Sequence, residues 1–182
     1  LAHYRDFVLP DGSYRTNAHV PGMRAFGEID PEVGVLRIDN ADGSPYGLIA
    51  NYACHCDSVG GVSLYSSDYP GAMRDMLRKT YGAEFMPLFV NGFCGNINHI
   101  DFEHGTSAEP GYYRRMGRIL AGAVSEVYEK IFLSDDDAIG GADDRFTLPS
   151  RLPDAETLAW ADTVRPEDGV IDNFYASEAR RM

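Results

Sequence analysis

Two short stretches hold most of the side chains capable of chemistry. The first is Cys54-His55-Cys56-Asp57-Ser58, and the second is Asn91-Gly92-Phe93-Cys94-Gly95-Asn96-Ile97-Asn98. His55 comes first among them, because a neutral imidazole suits a zinc ligand or a general base near neutral pH. A histidine hydrogen-bonded at a strand end is the plainer reading. Asp57 could orient His55, lie behind it, or meet a substrate, and Ser58 is a weak candidate nucleophile. Gly92 and Gly95 permit positive φ, which lets backbone N–H groups turn inward toward an oxyanion. The same residues also make a simple tight turn. Asn91, Asn96 and Asn98 can donate and accept hydrogen bonds to a bound substrate. Cys94 is either a nucleophile or a buried thiol. His99 and His104 are further candidate ligands, but one histidine is not a zinc site, since three protein ligands are the usual catalytic minimum. The sequence has no GxSxG elbow, HExxH helix, GxxxxGK phosphate loop or GxGxxG dinucleotide loop.

These stretches must be positioned by the elements around them. Val33–Ile38 and residues 46–53 read as a β-hairpin about the turn Asp39–Pro45. The second strand, Leu48-Ile49-Ala50-Asn51-Tyr52-Ala53, lacks polar alternation, as expected of a central strand with both faces covered. Asp68 or Ser67 can cap a helix running to about Thr80, with Pro70 in its first turn and Gly82 ending it. Residues 85–90 form the next strand, with Pro87 suggesting an edge. Strand, helix and strand in this order predict a right-handed parallel crossover, and ligands settle beyond the strand ends of such units. A long helix from Tyr112 to Ile131 follows, with Met116, Ile119, Leu120, Ala123, Val124 and Val127 inward and Ala121–Ala123 small enough for close approach. Asp135–Asp137 reads as a solvated turn, Arg145–Pro149 as a short strand and Pro153–Val164 as a short helix. Residues 169–182 show no core pattern.

The predicted class is α/β, a mixed β-sheet with helices packed on its faces in a layered sandwich. The 182 residues make one domain-sized piece: an irregular arm at 1–32, an α/β core at 33–148 and a peripheral segment at 149–182. Arg15 and Asn17 could reach a site from the arm. Composition is globular, with 44% hydrophobic and 24% charged residues. A formal charge of −12 argues against nucleic acid as partner. No apolar run is long enough for a transmembrane segment. Three cysteines, spaced neither as Cys-x-x-Cys nor evenly paired, read first as free thiols, with one disulfide or a metal thiolate as the alternatives.

Asn51-Tyr52-Ala53-Cys54-His55, Ser67-Asp68-Tyr69-Pro70-Gly71 and Phe89 through Asn98 together resemble the amino-terminal catalytic domain of the neutral/alkaline non-lysosomal ceramidase family. Ile29–Leu36 and Phe146–Pro149 are also similar to that domain. The resemblance implies a zinc amidohydrolase that cleaves an N-acyl bond in a small-molecule or lipid-like substrate. It implies that His55 is one zinc ligand, with the others upstream of Leu1 and downstream of Met182. Family habit further implies a secreted, periplasmic or cell-surface protein whose flanking segments are missing from this piece. The family's serine position is occupied here by Asn98, which cannot attack an amide as an alkoxide would. Asn98 is then expected to position substrate or water, with Asn96 and Gly95 beside it and Asn91, Gly92, Asp57 and Arg15 as substrate contacts. Two other readings stand beside this one: a non-catalytic domain binding a glycan or lipid head group, and a metal-independent hydrolase working through Cys94.

Overall fold

A computed structural model describes residues 1–182 except 60–62, 64, 105–108, 135–137, 139, 151, 166, 168 and 182. The acidic run Asp135–Asp137 therefore lies outside the described residues. The fold is α/β, as the sequence predicts. The chain divides into two compact units, Leu1–Ser134 and Asp135–Met182.

In the first unit the arm is more regular than its sequence suggests. It carries β1 (His3–Tyr4), β2 (Asp6–Val8), β3 (Tyr14–Thr16) and β4 (Arg24–Ala25). Strand β2 is the middle of a three-stranded antiparallel sheet, flanked by β3 and β4. Its Phe7 is buried edge-on against Phe102. Then β5 (Gly34–Asp39) and β6 (Pro45–Tyr52) form the predicted hairpin, closed by the Asn40–Ser44 turn with Gly43 at φ 82°. Helix α1 (Asp68–Tyr81) crosses to β7 (Met86–Asn91), which pairs parallel with β6 as the edge strand of this sheet. A two-residue strand, β8 (Ile97–Asn98), returns to pair with β1, and α2 (Tyr112–Lys130) follows.

The register explains the core. Leu48, Ala50 and Tyr52 alternate onto one face of β6 and are buried with Tyr69, Met73 and Leu77 of α1 and Met116, Leu120 and Val124 of α2. The opposite face carries Leu36, Ile49 and Leu88 in one row, with Ile38, Met86 and Val90 beside them. It is open: Leu36 is 58% and Leu88 53% exposed. The expectation that both faces of β6 are covered is thus met on one side only among the described residues. The buried stripe of α2 also differs from the predicted one. Ile119 is exposed, and the inward positions are Met116, Gly117, Leu120, Ala121, Val124 and Tyr128. The small residue that permits closest approach is Gly117, and it meets α1 rather than the sheet.

A half-buried charge cluster fixes β5 to the far end of α2. Arg37 pairs with Asp39 at 2.7 Å, its guanidinium lies 4.4 Å over the Tyr128 ring, and the Tyr128 hydroxyl donates to Asp39 at 2.8 Å. Hydrogen bonds from Arg37, aided by Tyr128 and opposed by burial, hold the Asp39 carboxyl below its ordinary range. A depressed carboxyl pKa contributes stability above the unfolded-state value, and that contribution disappears as pH falls through the folded-state value. Stability should therefore drop as the pH is lowered below about 4. Asp39→Asn should lose about 2 kcal/mol at neutral pH and show a flatter acid limb in urea titrations. An unchanged acid limb would remove Asp39 from the explanation.

The second unit contains α3 (Ala155–Thr163) and α4 (Val170–Arg181). Asp154 caps α3 by accepting from the Thr157 N–H at 2.7 Å. The two helices meet through Ala161, Ala176 and Ala179, a core of small residues that gives little apolar signal in sequence. Residues 169–182, which show no core pattern, are thus mostly helical. The strand expected at Arg145–Pro149 is not formed; Phe146 and Leu148 are exposed there.

Candidate functional site

Parallel β6 and β7 end side by side, with Tyr52 opposite Asn91. Both chemistry-bearing stretches leave the sheet from this edge. Their backbones touch at once: the Gly92 N–H donates to the Tyr52 carbonyl at 3.1 Å. A Cβ on Gly92 would lie 3.0 Å from that of Ala53, so glycine serves close approach here. Neither Gly92 nor Gly95 has positive φ, and the inward-turned oxyanion geometry expected of that conformation is not what these two glycines adopt. With its amide nitrogen facing the carbonyls, Asn91 donates to Cys54 at 2.9 Å and Tyr52 at 3.1 Å. Its position locks the two strand ends together.

The first loop is latched by the start of α1. Tyr69, fully buried, donates its hydroxyl to the Cys54 carbonyl at 2.7 Å. Asp68 has φ 50° and is buried. Its carboxylate accepts from the Ser58 hydroxyl, from the Val59 N–H at 2.8 Å and from the Tyr69 N–H at 2.7 Å. The sequence marks Asp68 only as a possible helix cap; two of its partners, Ser58 and Val59, lie ten and nine residues upstream. Ser58 is buried as one of them, a structural use of the hydroxyl.

The arm secures the second loop. The Arg5 guanidinium reaches the Gly95 carbonyl at 2.6 Å, and the Arg5 N–H donates to the Asn96 carbonyl at 3.0 Å. Asn96 donates its amide to the Tyr4 hydroxyl at 2.6 Å. Asn98 is buried on β8 opposite His3, and its side-chain oxygen accepts from the Ile100 N–H at 3.1 Å. Arg15 lies exposed on β3 opposite Phe7 and makes none of the hydrogen bonds that join the two loops.

Two cross-loop side-chain pairs occupy the space between. His55 Nδ1 and Cys94 Sγ are 3.3 Å apart, both half-buried. His99 Nδ1 and Asp57 Oδ1 are 3.0 Å apart, with the imidazole buried and the carboxylate half-exposed. Asp57 thus orients His99, and His55 is held by a thiol. Spacing in sequence leaves the partner of Asp57 open, because a two-residue separation on one loop is less informative than the facing of two loops. A third group joins this segment to the arm: Asp101 binds His104 at 2.8 Å and approaches His3 at 3.7 Å. All three cysteines are free. Burial pushes the Cys54 thiol up to about 12, so it is protonated at neutral pH. Burial also raises Cys56.

For a metal, the donor set is decisive. No group of three or more His, Cys, Asp or Glu side chains is arranged to hold a metal ion among the described residues. His55 is chemically suited to be one donor, with Cys94 beside it, but these residues do not by themselves make a catalytic zinc centre. No helix among the described residues is long and apolar enough to cross a membrane.

No family model matches the chain, and no curated protein matches it. Among solved structures, 56% of the chain is similar to the neutral ceramidase from Pseudomonas aeruginosa, at 21% identity and a TM-score of 0.49. The match covers 17% of that enzyme's chain, and a likeness of this size carries no argument about activity.

Proposed function

We propose that the paired loops are part of the active site of a hydrolase that cleaves an N-acyl amide or related bond. The observation that supports this reading is the set of imidazole, thiol and carboxylate groups gathered at the ends of parallel β6 and β7. His55 serves as one metal ligand there, completed by donors beyond the described residues. Zinc bound in that way would supply Lewis acidity and an activated water. Within this chain, Asp57 fixes the ring of His99, and the latch of Asp68 and Tyr69 fixes the backbone that carries His55. Asn98 and Asn96 hold the second loop in shape.

Elemental analysis of the protein at its full natural length tests the reading. About one zinc per chain is expected, lost in His55→Ala together with at least a hundredfold of its N-acyl hydrolysis. A full-length protein without zinc, or a His55→Ala variant that keeps both metal and activity, would overturn it. The His55–Cys94 contact favours a second reading, in which Cys94 is the nucleophile of a metal-independent hydrolase. Alkylation of Cys94 that abolishes activity and leaves metal content unchanged would select that alternative.

A further inference from the structure

A groove of about 550 Å³ runs along α1, from the residues before it to Lys79 in its last turn, beside the N-terminal part of α2. Although the chain carries a formal charge of −12, the groove is lined by Lys79 of α1 and by Arg114 and Arg118 of α2. None of the three has an ion-pair partner among the described residues; Arg114 stacks on the Tyr113 ring at 4.6 Å. Arg114 and Arg118 are four residues apart, hence on one face of the helix, where like charges repel. Neither acid at the groove forms an ion pair with them. Asp68 directs both carboxylate oxygens into the first loop, and Asp75 pairs with Arg74 at 2.9 Å. The start of α1 has its own partners too, because the Asp68 and Tyr69 N–H groups are bonded to Ser66 and to the Asp68 side chain. Recognition in this groove therefore rests on side chains.

We propose that the groove binds the phosphomonoester group of a small molecule. Guanidinium forks match phosphate oxygens in pairs. Three cations suit a dianion better than a single carboxylate, and the Ser66 and Ser67 hydroxyls at the rim add donors. The volume is that of a small-molecule site. One phosphate chemistry could reach the groove from a soluble metabolite or from a lipid headgroup.

The test uses the intact protein, titrated calorimetrically with glycerol phosphate at fixed ionic strength. Saturable binding is expected, weakened about tenfold in Arg118→Gln and lost in the Arg114→Gln/Arg118→Gln double variant. Arg115, exposed on α2 outside the groove, is the control: Arg115→Gln should bind as the unaltered protein does. Circular dichroism of each variant should be unchanged, as the three arginines are exposed. A second arm sediments the protein with phosphatidylcholine vesicles with and without phosphatidic acid. Capture by phosphatidic acid alone, lost in the double variant, assigns the phosphate to a lipid and supports the site. No saturation below about 20 mM in the first arm and no capture in the second would overturn it. An equal loss in Arg115→Gln would also overturn it, since general charge attraction would then suffice.

Discussion

Asp68→Ala should cost about 3 to 4 kcal/mol of stability and loosen the loop that carries His55. The carboxylate accepts from Ser58, Val59 and Tyr69, and Ser58 is buried. Truncation leaves these donors without an acceptor, which costs about 1 to 3 kcal/mol for a buried group. The effects do not add fully, because the donors can shift together. Alanine would also have to adopt the positive φ of 50° found at this position, a conformation that aspartate tolerates better. Asp68→Asn separates the two contributions. It retains one oxygen for Ser58 and Tyr69 but turns an NH₂ toward the Val59 N–H, so roughly half the loss is expected. Urea denaturation of both variants, with His55 and His99 followed by NMR, would check this. If Asp68→Ala unfolded at the unaltered midpoint, the latch would be irrelevant to stability.

Gly117→Val should be nearly as damaging, at about 3 kcal/mol, although it adds apolar surface to a helix. A Cβ at this position would lie 2.7 Å from the Met73 nitrogen and 2.8 Å from the Ala72 carbonyl carbon, besides striking the Ala72 Cβ. Backbone atoms cannot rotate aside, so α1 and α2 must separate along the whole crossing. Separation disturbs the contacts of Met73, Met116 and Leu120, all fully buried, and close-packed interiors tolerate such expansion poorly. Gly117→Ala should be milder, because better helix propensity returns up to about 1 kcal/mol. Chemical denaturation of the pair decides the matter: a valine variant no less stable than the alanine variant would mean that the helices do not cross this closely.

The framework of the site is legible in sequence wherever a single element carries its own signal. The apolar run ending at Tyr52, the helix after Asp68 and the strand ending at Asn91 are each local patterns, and they place His55 and Cys94 at one sheet edge. Partner choice is not legible, because it depends on facing between loops. Asp57 meets His99, His55 meets Cys94, and Asp68 reaches back to Ser58. None of these pairs has a fixed spacing that a turn or helix would impose. The arm misleads for a different reason: strands of two or three residues are shorter than one reliable period of alternation. Helix α4 is hidden because its core side chains are alanines. Ile119 shows the limit of periodicity itself: the inward face is turned toward Gly117, Ala121 and Tyr128, which leaves Ile119 exposed.

The β1–β8 pairing has a consequence for the order in which the molecule assembles. The hydrogen bond between Tyr4 and Asn96 spans 92 positions, whereas that between Asn40 and Ser44 spans four. Loop-closure entropy rises with the logarithm of separation, which makes the arm's contact costlier to close by about 3 kcal/mol. The hairpin can therefore nucleate early, and the arm can dock only on a nearly finished neighbour. One wall of the candidate site is framed by that early hairpin and the other by the late arm. A chain caught midway could hold the sheet and both helices and still have no site.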